Sequence, residues 1–502
     1  MYIGILFFTV AFFKSPAYYL IAIFICLSSI GLNPYFFPNY FDNIFYYELA
    51  KSLMEDNSYT VMEMHVLEWP PFYPMVLALF FSFLDSSILL AKIITLMFAA
   101  ISLFLIYRIC ELENRQPAWL ILLIMILLPT SISMSVRIST DWPYIALSLA
   151  FLLTLKRLRL NRQPMWGLYA GLLLGFACLT RYIGIALFFA LLVHVALIAK
   201  STKFSLKKLF PEWICALSAG LLLGAWLTVM SVWKGDDSLI IYQGNLQRSG
   251  ISVWTAFDPL QLSETILDLF LQWNNLSNIL GIGEFFSKTL VLIPMLILAY
   301  GAFEHFKPKN VTPSDVYTFV VFLLFLFYEW KASRFILCIA PFLLSYLFTG
   351  MHKIRLHFPI LKAKQCNIMG VFILVIWGIY LLALDLHLLF LGNRKDHSGL
   401  SLLVSPTLHD FYLGKWKDYA LIIENLKSKN IAASTEIGID GTPSYNWIYF
   451  YGLTGYKVKQ GVEGNFLIVD PDWMEKNTYD SYIPILNTKH ATLLKKKDLR
   501  DE

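Results

Sequence analysis

Apolar runs of about 20 residues recur along most of the chain, each bounded by charge, and that one feature dictates the fold class. A run of this length crosses the hydrocarbon of a bilayer, where only a helix or a closed barrel satisfies every backbone polar group. The runs are roughly 17–33, 88–107, 117–135, 142–155, 166–180, 182–199, 209–233, 287–304, 313–329, 333–350 and 367–391. Of the 502 residues, 57% are hydrophobic and only 15% charged, against about 25% charged in soluble chains. That excludes a single soluble globular protein, a disordered chain and a disulfide scaffold. The expected fold class is an all-α polytopic membrane protein of about eleven transmembrane helices.

The sorting of the charge predicts its orientation. Cationic connections (Arg108/Arg115, Lys156/Arg157/Arg159/Arg162, Lys200–Lys208, Lys307/Lys309, Lys353/Arg355/Lys362/Lys364) alternate with connections holding Asp42, Glu55, Asp141, Asp236 and Glu329. Cations flank the cytoplasmic ends of spans, so the N-terminus is expected inside and everything beyond about 392 outside. Segment 166–199 has cations at both ends, so it must be a hairpin turning near Arg181. The N-terminal apolar segment lacks a basic start and a small-residue cleavage site and is expected to be retained. A net charge of +5 carries no nucleic-acid footprint. The six cysteines lie in or beside apolar runs, with no disulfide or zinc spacing.

Residues 1–400 are expected to form the transmembrane domain, with long outer connections at 34–87 and 234–286. In DNIFYYELAKSLM, Phe45, Leu49 and Leu53 fall four apart on one helical face, the pattern of a helix lying in the interface. The run 72–84 is too short to be a secure span. From 410 to 502 the chain changes character: Trp416, Tyr419, Ile423 and Leu426 suggest an amphipathic helix. IAASTEI, NFLIVD and ATLLK read as strands between turn signals at Gly441–Thr442–Pro443 and Asp470–Pro471–Asp472. A small external α/β domain is expected there.

The outer connections carry the candidate chemistry. Asp42 opens the interfacial helix, Glu68 precedes Trp69–Pro70–Pro71–Phe72–Tyr73–Pro74, Asp141 opens a span, and Arg181 sits in the hairpin turn. Glu329, Lys331 and Arg334 cluster at another outer end, and Arg137 precedes Asp141. Each has a plain alternative: a helix cap for Asp42 or Asp141, a solvated acid for Glu68, an interfacial cation for the rest. Together they would line one outward cavity at the lipid boundary. Guanidinium groups clamp phosphate and a carboxylate activates a nucleophile, which suits a lipid-linked phosphate. No P-loop, glycine-rich nucleotide fingerprint, H-E-x-x-H or nucleophile elbow is present.

The order of these motifs resembles the polytopic GT-C glycosyltransferases that use polyprenyl-phosphate sugars, among them protein O-mannosyltransferases and the aminoarabinose transferases of lipid A. The matching residues are Asp42, Tyr46 and Ala50, then E-W-P-P-F-Y-P at 68–74 and S-T-D at 139–141. L-T-R-Y-I-G at 179–184, R-F-I-L-C-I-A-P-F at 334–342 and L-T-G-Y at 453–456 complete the series. The resemblance implies an inverting transfer of a sugar from a polyprenyl-phosphate donor to a lipid, glycan or protein acceptor. Asp42 would be the catalytic base, Glu68 and Asp141 acids orienting acceptor or donor, and Arg181, Arg334 and Lys331 the donor-phosphate ligands. No cofactor is obligatory; Glu68 and Asp141 are the acids available to a divalent metal. The implied location is a bacterial inner membrane with the site facing outward. Two departures stand out: Trp69 replaces the Lys of the aminoarabinose transferases' Glu-Lys-Pro-Pro, and Phe335 replaces the usual Tyr. The first argues against an aminoarabinose transferase in particular.

A secondary transporter of similar span number, an O-antigen ligase-type enzyme using a pyrophosphate-linked glycan, and a non-catalytic protein displaying the 410–502 region are the alternatives. Internal repeats and midplane ionisable groups mark transporters; no repeat is visible, and Asp385 is the clearest acid within an apolar run.

Overall fold

The computed structural model describes residues 16–32, 42–61, 64–65, 69–115, 117–201, 209–233, 258–271, 284–307, 310–327, 332–357 and 375–383. In the tail it describes 421–422, 425–426, 428–429, 435–440, 457–460, 465–469, 479, 481–487 and 492–497. Glu68, Glu329, Lys331, Asp385 and most of the expected tail helix lie outside the described residues.

The protein is mostly helical. The helices are α1 (Pro16–Ile30), α2 (Asp42–Glu55), α3 (Phe72–Phe81), α4 (Ile88–Leu112), α5 (Ala118–Leu127), α6 (Pro129–Ser135), α7 (Asp141–Asn161) and α8 (Pro164–Cys178). After a 3-10 turn at Tyr182–Ile185 come α9 (Ala186–Ser201), α10 (Phe210–Trp233), α11 (Pro259–Leu271), α12 (Glu284–His305), α13 (Pro313–Leu326), α14 (Ser333–Ile336) and α15 (Ala340–His357). Residues 375–383 are also helical. Among the described residues three helices are long and apolar enough to cross a membrane: Ile88–Leu112, Tyr182–Lys200 and Phe210–Val232. Counting the bent pair α5–α6 as one span makes four. The chain is an integral membrane protein.

Two of the expected spans are broken, and proline is the reason in both. Residues 117–135 bend by 65° between α5 and α6. Leu128 precedes Pro129 and is extended (φ −70°, ψ 123°), as the clash with a following pyrrolidine ring requires. Residues 333–350 split into α14 and α15 around Leu337–Ile339. Pro341 has no N–H to give Leu337, and its ring excludes that carbonyl from a continuous helix. The break leaves Arg334 on its own short turn.

Close helix packing depends on glycine where backbones meet. Gly167, Gly171 and Gly175, spaced four apart on α8, face α10. A Cβ at Gly171 would collide with Ser218 and the Cys215 carbonyl, and one at Gly175 would stand 2.7 Å from a Leu222 methyl. Such small-residue stripes let spans approach where no hydrophobic drive operates between helices. Gly220 of α10 faces open space. Gly171→Val should therefore destabilise the protein by about 1–3 kcal/mol, whereas Gly220→Ala, which meets nothing, should not destabilise it and should gain up to about 1 kcal/mol from helix propensity; thermal unfolding in micelles measures both.

The tail forms a five-stranded mixed sheet in the order β4–β3–β5–β7–β6, where β3 is Glu436–Asp440, β4 Lys457–Gln460, β5 Phe466–Val469, β6 Tyr482–Asn487 and β7 Thr492–Lys496. (A two-residue hairpin, β1 Thr60–Val61 with β2 Met64–His65, precedes them in the chain.) Strand β5 pairs parallel with β3 and antiparallel with β7, and all four of its residues are buried. A central strand covered on both faces reads as a continuous apolar run, which is why NFLIVD is legible. Strands β4 and β6 were not legible: KVKQ is too polar, and YIPILN carries a proline tolerated because β6 is an edge with a register shift at Pro484/Leu486.

Candidate functional site

Helix α2 buries Ile44, Phe45, Leu49 and Ala50, and packs on α3. Its apolar face turns inward, which leaves Asp42 at its first turn facing across to α14. There Asp42 Oδ2 accepts from an Arg334 guanidinium nitrogen at 3.1 Å, joining residues 292 positions apart. Asp141 stands inside the first turn of α7, after Thr140, and its carboxylate pairs with Arg181. Asp141 is not the cap of its helix: Thr140 occupies that position, and Asp141 points its carboxylate to the hairpin.

The two ion pairs meet on one ring. The Arg181 guanidinium carbon lies 4.9 Å from the Phe335 centroid and that of Arg334 lies 4.7 Å from it. Phe335 is in turn stacked on Phe325 at 6.0 Å. Repulsion between neighbouring cations is offset by the ring's negative face and by one carboxylate for each. The side chains of Asp42, Arg334 and Arg181 keep 29%, 19% and 20% exposure, and Asp141 keeps only 4%. Asp42 is therefore the acid open to a ligand, while Asp141 is a buried anchor.

The surrounding motifs hold this array together. The Phe72 N–H donates to the Leu179 carbonyl at 2.9 Å, tying the start of α3 to the hairpin before Arg181. The Tyr73 hydroxyl meets Thr95 of α4 at 2.6 Å, and the Tyr46 hydroxyl meets Thr140 at 3.3 Å. Burial, and then the Asp42 carboxylate, raise the Tyr46 phenol, so it stays protonated. Trp69 stacks on Phe45 at 4.3 Å, and its carbonyl accepts from Tyr59; an aromatic packs at this position and no cation is presented. Gly184 closes the hairpin, since a Cβ there would stand 2.8 Å from the Cys178 backbone.

Sequence reasoning missed Lys92, and it noted Phe335 only as a replacement for Tyr, without its role under the two guanidiniums. Lys92 is 1% exposed on α4, within the electrostatic field of Arg137; its signal was a lone cation in the run LLAKIIT. The amphipathic α11 buries Leu262, Ile266, Leu269 and Phe270 and packs against α14, which brings residues 259–271 to the array. No group of three or more His, Cys, Asp or Glu side chains among the described residues is placed to hold a metal ion.

Glu48, one turn beyond Asp42's turn of α2, is pushed up to about 7, first by burial and further by Glu55, against the pull of Lys51. A carboxyl raised in the folded state is stabilising while protonated, below its ordinary value. That contribution is lost as pH rises from about 4.5 to 7. Melting temperature should fall over that window, and Glu48→Gln should flatten the profile.

Residues 68–231 match the family described as dolichyl-phosphate-mannose-protein mannosyltransferase. That stretch contains Asp141 and Arg181 and leaves out Asp42 and Arg334. Among solved structures, ArnT from Cupriavidus metallidurans bound to undecaprenyl phosphate superposes with a TM-score of 0.61 at 13% identity, covering 95% of this chain and 97% of that one. The chain has the fold of a GT-C glycosyltransferase. The same ArnT in the apo state gives a TM-score of 0.59 at 14% identity, over 95% of this chain and 96% of that one. No curated protein sequence matches the chain significantly.

Proposed function

We propose that this GT-C protein transfers a sugar from a polyprenyl-phosphate donor to an acceptor hydroxyl at the outer face of a bacterial inner membrane. The observation that carries the reading is the paired array Asp42–Arg334 and Arg181–Asp141 on the Phe335 ring. It supplies two guanidiniums for a phosphate and one accessible carboxylate for a proton. The undecaprenyl phosphate bound to the similar ArnT structure supports the same class of donor.

In this mechanism the donor's polyprenyl chain lies in the bilayer, and its phosphosugar meets Arg334 and Arg181. Lys331 and Glu68, outside the described residues, are assigned to the donor phosphate and to acceptor orientation. Asp141 fixes Arg181 in place. Asp42 takes the proton of the acceptor hydroxyl as that oxygen bonds to the anomeric carbon. The bond from that carbon to the phosphate oxygen breaks, its electron pair leaving with the polyprenyl phosphate. The guanidiniums stabilise the charge in a site of low dielectric. Attack opposite the leaving group inverts the anomeric centre. About eleven spans, an N-terminus inside, a catalytic 1–400 region and an external 410–502 domain complete the reading.

The deciding experiment is mass spectrometry of surface glycolipids and glycoproteins with and without the gene, followed by transfer with purified protein and the matching donor. One missing hexose or pentose unit identifies donor class and acceptor. Unchanged glycans, together with substrate uptake into liposomes by the purified protein, would replace the enzyme with a transporter.

A further inference from the structure

The first turn of α2 carries two polar side chains in succession. Asp42 meets Arg334 and keeps 29% of its side chain exposed. Asn43, the next residue, is 3% exposed, and its amide nitrogen Nδ2 is buried with no hydrogen-bond partner. A buried donor left without an acceptor is costly, and native structures rarely keep one. Two bonds hold the helix from shifting to relieve it. The Tyr46 hydroxyl meets Thr140 at 3.3 Å, and the Tyr47 hydroxyl donates to the Ser86 carbonyl at 2.6 Å. These tyrosines stand three and four positions after Asn43, over its own stretch of helix surface. The first-turn N–H groups of α2 also lack acceptors within the helix and carry the positive end of its dipole. The turn that presents Asp42 is thus a pinned group of hydrogen-bond donors, suited to an oxygen.

We infer that the Asn43 amide binds the sugar of the lipid-linked donor, giving a hydrogen bond from Nδ2 to one of its oxygens while Asp42 beside it serves the acceptor. The inference rests on the reading of this site as one for a polyprenyl-phosphate sugar, and it names the residue that grips the sugar. Charge sorts the ligand groups: the phosphate matches Arg181 and Arg334, whereas a neutral amide matches a neutral hydroxyl or ring oxygen. Burial sorts the rest. An acceptor arriving from water meets the partly exposed Asp42. The group that reaches an amide only 3% exposed is the one the site encloses, the sugar between phosphate and acceptor. The free protein carries the unsatisfied donor and the bound sugar satisfies it, so the amide contributes to binding and not to folding.

The test uses the full-length protein in nanodiscs. It compares undecaprenyl phosphate, the bare carrier, with undecaprenyl phosphate bearing glucose, mannose, galactose or arabinose. Wild type should bind one of these glycosylated carriers more tightly than the bare one. Asn43→Leu, which keeps the size and removes the amide, and Asn43→Ala should both bind the bare carrier like wild type. Both should bind the preferred glycosylated carrier about three- to tenfold more weakly. Without ligand, Asn43→Leu should melt at or above wild type, because it removes a donor the folded chain leaves unsatisfied. Variants that bind the glycosylated carrier like wild type, or lose the bare carrier to the same extent, overturn the sugar contact and leave the phosphate site standing. A wild type that prefers no glycosylated carrier does the same. Failure of both variants to fold would make the amide a structural group and overturn the contact too. Bare-carrier binding absent from wild type overturns the polyprenyl-phosphate reading, and the sugar contact with it.

Discussion

Asp42→Asn should lower sugar transfer by about 10²–10⁴-fold, the range expected when a positioned general base is lost, while the protein inserts and melts like wild type. The Asn side chain keeps the shape and can still touch Arg334, but it cannot accept the acceptor's proton. The stability cost is small because the Asp42–Arg334 pair is partly exposed, with 29% and 19% of the side chains accessible. Such pairs contribute about 0–1 kcal/mol. Purified protein, a polyprenyl-phosphate sugar and an acceptor identified by glycan analysis suffice to measure it. Normal transfer by Asp42→Asn would remove Asp42 as the base.

The largest stability effect is expected far from this array, at Arg115→Met. Arg115 lies in the connection between α4 and α5, its side chain 1% exposed. Its Nε donates to Glu113 at 2.7 Å and a terminal nitrogen to Asp315 at 2.6 Å. Asp315 also accepts from the Tyr346 hydroxyl at 2.8 Å, and the guanidinium lies over the rings of Phe342 and Tyr346. Removing the cation leaves the buried Glu113 and Asp315 carboxylates without the charge that neutralised them, a loss of roughly 3–5 kcal/mol. The triple variant Arg115→Met, Glu113→Gln, Asp315→Asn should recover most of it, because the penalty comes from the uncompensated charges rather than from the missing bonds. Unfolding followed by tryptophan fluorescence in micelles compares the three proteins. An Arg115→Met protein as stable as wild type would show that the network is solvated.

Arg115 also shows where sequence reasoning reached its limit. It was read as one of the cations sorting the inner connections, and Arg162 likewise. In the fold both have specific partners: Arg162 pairs with Glu212, which His194 also contacts at 3.2 Å. A positional count of cations cannot distinguish a side chain held by a buried carboxylate from one reaching into solvent, because the carboxylate comes from a distant part of the chain.

The legible part of the site had local causes. Asp42 is visible because it precedes an apolar pattern of helical period, and Arg181 because a hairpin must turn between two cationic ends. Asp141 is visible as an acid beside Pro143 at a span's start. At Phe335 the sequence shows only a departure from the usual Tyr. Its part, holding two guanidiniums together, depends on α14 being severed from α15 and brought against α11 and the α8 hairpin.

The sequence by itself determined the environment: an integral membrane chain, its apolar runs set by bilayer thickness, its central strand β5 by continuous burial. Those are consequences of composition and period over neighbouring residues. Only the tertiary structure decided which charges pair. A helix cap was the plain local reading of Asp42 and of Asp141; in the fold each meets an arginine from another element, one of them 292 positions away. Ion pairing acts over a few ångströms in space and carries no periodicity along the chain, so its partners exist only once the helices have packed.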